Sequence, residues 1–138
     1  MAAFAEGAAR PNLSNFRGEK VTICSVYVGD LGNPNFKWDG GDWNGNVPSA
    51  ISPEFPPPPR HYNGDYHAWV KRSGVECKQT DFDGYVARVK KAQILDFVSS
   101  TYARSKDLPW VKPYLPELLE FIDALDDDAI YALVATSF

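Results

Sequence analysis

Two histidines flank an aspartate near the middle of the chain: His61, Asp65 and His67. Histidine is the side chain whose ordinary pKa lies closest to neutrality. With a carboxylate beside them, these residues could act as a general acid–base set. In that case the long stretch 29–63 would be the lid over them. The same residue types can ligate a metal, but metal sites gather their ligands at tighter spacing than this. Asn63-Gly64 is a turn signal between the two histidines, so the plain alternative is two polar residues beside a turn. No metal or cofactor is expected from these residues.

A second cluster is Trp38-Asp39-Gly40-Gly41-Asp42-Trp43-Asn44-Gly45-Asn46. Asp42, Asn44 and Asn46 match the first, third and fifth oxygen positions of a calcium loop. The match then fails, because Val47 stands where glycine is needed and Pro53 where the last carboxylate belongs. A recognition loop is the other chemical reading. Trp38 and Trp43 could stack on a sugar, base or peptide, with Asp39 and Asp42 accepting hydrogen bonds. The structural alternative is a tight turn whose tryptophans plug the side of the domain.

Charge is unevenly placed. Residues 60–112 hold ten Lys/Arg against six Asp/Glu, whereas residues 113–138 hold six acids and no base. The middle is too weakly basic for a nucleic-acid stripe, so no nucleic-acid partner is expected. The acidic end would attract a basic protein surface through Glu117, Glu120, Asp123 and Asp127, or it is simply the solvated side of a helix and its turn. Phosphate loops, dinucleotide fingerprints, nucleophile elbows and the zinc-protease motif are missing. Cys24 and Cys77 sit far apart in no metal spacing and read as free thiols, with a disulfide or a reactive thiol as the alternative.

These residues need a scaffold to hold them. A chain of 138 residues, 44% hydrophobic, can bury one core without disulfides. Residues 1–18 read as an irregular lead-in and 19–138 as one α+β domain. Residues 19–28 are rich in Val, Ile, Thr and Tyr and apolar on both faces, which predicts a central strand. Residues 29–63 form a long loop whose aromatics should pack on the domain. Within it, Pro56 to Pro59 must be polyproline II, a stiff spacer or a ligand for an aromatic groove. Residues 65–72 alternate and predict a strand, residues 76–80 a short edge strand, and residues 85–89 another strand.

A helix is predicted over 90–103, with Ile94, Leu95, Val98 and Tyr102 on its buried side. Another should begin near Pro116, with Leu118, Leu119, Phe121, Ile122 and Leu125 inward. Residues 129–136 close the sheet as an interior strand. The expected fold is therefore a mixed or antiparallel sheet of about four strands in the sequence order β-β-β-α-α-β, with the two helices of the C-terminal half on one face. No segment is long and apolar enough to span a bilayer, and the first ten residues lack a signal-peptide pattern, so a cytoplasmic protein is expected.

The function these features favour is a small acidic domain of inhibitor or immunity type that occupies a partner's surface. A small enzyme using His61, Asp65 and His67 is the second reading. A component of a larger structural assembly, in which the lead-in and proline spacer order against a neighbour, is the third.

Overall fold

The computed structural model of the chain describes residues 23, 25–39, 45–58, 65–81 and 84–137. Among these the elements run β1 (Ser25–Gly29), α1 (Asp65–Ser73), β2 (Cys77–Asp81), β3 (Gly84–Val89), α2 (Lys91–Thr101), α3 (Leu115–Asp123) and β4 (Tyr131–Thr136). The strands form one sheet in the order β1-β4-β3-β2, antiparallel at every step. The small α+β class and the four-stranded antiparallel sheet match the expectation. The element order does not, because residues 65–73 are a helix rather than a strand.

The reason is local. Tyr66, Trp69 and Val70 are the buried residues of α1, and their spacing of three and four is helical. Asp65 in the first turn and Lys71 and Arg72 in the last suit the two ends of the helix dipole. Gly74, at φ +74°, then ends the helix with its N–H on the Val70 carbonyl at 3.0 Å.

The closing strand β4 is interior to the sheet, as its doubly apolar pattern predicts. β1 has the same pattern but stands at the sheet edge. Its outer side is covered by the returning loop: Ile51 N–H donates to the Val28 carbonyl at 2.9 Å, and Phe55 N–H to the Val26 carbonyl at 2.9 Å. Strand backbone left unpaired would be an aggregation hazard, and this loop removes it. β2, the short strand at the other edge, is where residues 76–80 predict one.

Both sheet faces are covered, which explains the apolar strands. One face carries Val26, Val28, Tyr85, Ala87, Val89, Leu133 and Ala135. Against it pack Tyr66 and Trp69 of α1, Ile94 and Phe97 of α2, and Leu118 and Ile122 of α3. The other face carries Val86, Ala132 and Val134, covered by Phe36 with Leu31, Trp38 and Val47 beside it. The layers are thus helices, sheet and loop. Gly29 marks how closely the loop lies on the strand. A Cβ there would stand 2.9 Å from Pro48 Cβ and 3.2 Å from the Ser49 carbonyl oxygen.

Two helix faces differ from expectation. Leu95 is exposed and Phe97 is fully buried in its place. In α3 the buried residues are Leu118 and Ile122, Phe121 and Leu125 are half-buried, and Leu119 faces water.

Candidate functional site

Of the acid–base trio, His61 lies outside the described residues. Asp65 is exposed on the first turn of α1. His67 follows two residues later on the same helix, and neighbours at that spacing do not face each other. His67 instead turns inward, with the Tyr85 ring edge-on at 4.7 Å and that of Tyr66 at 5.6 Å. Burial pushes its pKa down to about 4. The imidazole is therefore neutral at neutral pH and a weak base there. The even spacing that would align the two residues on a strand separates them on a helix.

Of the tryptophan loop, Asp42, Trp43 and Asn44 lie outside the described residues, as does Cys24. Trp38 is half-buried, and its ring carries the Arg88 guanidinium 4.0 Å and the Lys78 ammonium 5.1 Å from its centroid. Asp39 accepts a hydrogen bond from Lys78, and this contact holds its carboxyl below the usual range. Both side chains are thus engaged with β2 and β3.

Asn46 is buried. Its Oδ1 accepts the Lys37 N–H at 3.0 Å, while its Nδ2 donates to the carbonyls of Lys37 at 3.0 Å and Thr80 at 3.2 Å. Next to it, the Asp81 carboxylate accepts the backbone N–H groups of Gly45 and Asn46. The oxygen spacing suggestive of calcium serves, at Asn46, to fasten the loop to β2. Among the described residues no cluster of three His, Cys, Asp or Glu could hold a metal.

The acidic end is placed differently. Glu117, Glu120 and Asp123 are all exposed on α3. Residues three apart on a helix are neighbours, so the three carboxylates form one row along the solvent side. No basic residue stands in the last turn of α3 to answer them. Asp127, in the turn beyond, pairs with Lys91 at 3.4 Å.

Apolar side chains share this end of the chain. Leu119 is 41% exposed, Tyr114 56% and Trp110 47%, with Ile130 at 48% before β4. Trp110 donates its indole N–H to the Pro57 carbonyl at 3.1 Å, which fixes the ring while leaving it in contact with solvent. Among the described residues, four of the six large apolar side chains that face water fall between 110 and 130. Sequence periodicity misses Leu119 because Leu118-Leu119 and Phe121-Ile122 make the apolar stripe of α3 look wider than the contact that buries it.

Cys77 is a free, buried thiol whose pKa burial pushes up to about 12. It stands 3.9 Å from the Tyr66 hydroxyl, which donates to the Leu133 carbonyl at 2.7 Å. A thiol in that state is not a nucleophile. No helix among the described residues is long and apolar enough to cross a membrane. Compared with protein-family models, curated proteins and solved structures, the chain matches none.

Proposed function

We propose that the chain is a non-enzymatic protein-binding domain of inhibitor or immunity type, which covers a basic partner surface with the outer side of α3. The observation that carries this reading is the row Glu117, Glu120 and Asp123, whose exposed carboxylates have no ion pair among the described residues, since the neighbouring Lys91 takes the Asp123 main-chain carbonyl and Asp127 instead, with Leu119 and Tyr114 exposed on the same segment. Like charges three apart cost an isolated helix a few tenths of a kcal/mol each. Exposed leucine and tyrosine are likewise better off buried. A partner carrying lysines or arginines around an apolar recess would relieve both penalties at once. The carboxylates would steer encounter, and the apolar side chains would anchor the complex. Trp38 and Asp39 are already engaged by Arg88, Lys78 and the sheet, so the reading rests on α3 rather than on the tryptophan loop.

The test is capture from lysate on the immobilised chain, with Leu119→Asp and the double variant Glu117→Lys/Glu120→Lys run beside the wild type. A partner held by the wild type and lost by both variants, at unchanged thermal stability, supports the reading. A partner held equally by all three rejects it.

A further inference from the structure

A cavity of about 450 Å³ opens between α1 and the end of α2. That is within the usual size of a small-molecule site and far beyond the ~30 Å³ share of one water. Its polar lining consists of Asp65, Arg72, Ser100, Thr101, Arg104 and Ser105. The stripe Asp65, Ala68, Trp69 and Arg72 forms one wall, at the helical spacing that puts all four on one side of α1. Trp69 is held there by its indole N–H, which donates to Asp96 at 2.8 Å.

The two ends of the cavity differ. Asp65 and Arg72 are seven residues apart on α1, so a rise of 1.5 Å per residue separates them by roughly 10 Å. At the Arg72 end, its guanidinium donates to Ser100 Oγ at 3.3 Å. Arg104 lines the same cavity just past the end of α2. Among the described residues neither arginine is ion-paired, while Lys78, Arg88 and Lys91 each have a carboxylate. The carbonyl end of α2 brings only about half a negative charge, so two guanidiniums leave a clear positive surplus. Ser105, only 6% exposed, belongs to the cavity wall.

We propose that this cavity binds a small phosphorylated polyol. Its phosphoryl group sits between Arg72 and Arg104, where planar guanidinium forks match phosphate oxygens, and Thr101 on the same wall offers a further hydroxyl. Its hydroxyl groups extend toward Asp65, which accepts from them. This site stands apart from the α3 surface and does not depend on the reading of that surface.

The test is calorimetric titration of the full chain with ribose 5-phosphate, inorganic phosphate and unphosphorylated ribose as probes. Saturable binding of ribose 5-phosphate, weaker binding of inorganic phosphate and none of ribose is the expected result. Both arginine side chains are exposed, so Arg72→Gln and Arg104→Gln should fold, and each should weaken ribose 5-phosphate by about tenfold or more. Asp65→Asn should weaken ribose 5-phosphate and not inorganic phosphate. Absence of saturation with either phosphate, binding of ribose as tight as its phosphate, or folded arginine variants that bind like the wild type would overturn the proposal.

Discussion

Lys91, the first residue of α2, donates from its ammonium to the main-chain carbonyl of Asp123, the last residue of α3, at 2.8 Å. The same ammonium stands 3.4 Å from the Asp127 carboxylate. A helix that carries three exposed acids and ends in one of them needs a cation at its carbonyl end, and a neighbouring helix provides it. Lys91→Met keeps the aliphatic stem and removes the charge. Its expected cost is about 0.5–1 kcal/mol. Thermal unfolding at low and high salt checks this, because the cost should shrink as salt screens the exposed pair. An equal melting temperature for wild type and variant at both salts would mean that the contact contributes nothing.

The loop that covers the second sheet face hangs on Asn46. Replacing it with alanine removes three hydrogen bonds and strands the Lys37 and Thr80 carbonyls, an expected loss of about 2–3 kcal/mol in denaturant unfolding. Asn46→Asp sharpens the test. The shape is nearly the same, but two carbonyls would then face a carboxylate in place of an amide donor. The aspartate variant should be no more stable than the alanine one, and near-wild-type stability of Asn46→Asp would refute this role for the amide.

His67 makes stability depend on pH with a definite sign. Its pKa is pushed down to about 4 in the folded chain, against an ordinary value near 6.5. Between those values the unfolded chain binds the proton and the folded chain does not, so stability rises with pH. The contribution is complete above about pH 6.5 and is lost as pH falls toward 4. Because the residue is half-buried rather than sealed, on the order of 2 kcal/mol is expected. His67→Phe keeps a ring against Tyr85 and removes the titration. Denaturant unfolding between pH 4 and 7 should show a shallower slope for the variant, and parallel curves would contradict the assignment.

Much of the fold can be read from the residues. The helix after Lys90 follows from Ile94 and Val98, and the start of α3 from Pro116 with Glu117 behind it. The closing strand follows from its apolar run. The first helix was harder to see, because Tyr66, Ala68 and Val70 alternate while Tyr66, Trp69 and Val70 fit a helix, and large aromatics favour strands. The better signal lay at the ends of the segment, in Asp65 before and Lys71, Arg72 and Gly74 after. The edge position of β1 could not be read from its own residues, since the loop that covers it comes from residues 50–55. For the candidate sites, the carboxylates of α3 are visible as a charge run, whereas the exposure of Leu119 depends on packing between helices. That Arg72 and Arg104 line one cavity depends on how α1 lies beside the end of α2, which no local pattern encodes.

The reading of α3 as a docking surface is tested most directly by the Kd of the captured partner, measured for the wild type and for Glu117→Lys/Glu120→Lys at low and high salt. The double variant should bind at least about tenfold more weakly at low salt, and its affinity should fall less steeply with added salt than that of the wild type. Equal affinities with parallel salt dependence would contradict the reading and remove α3 from the interface.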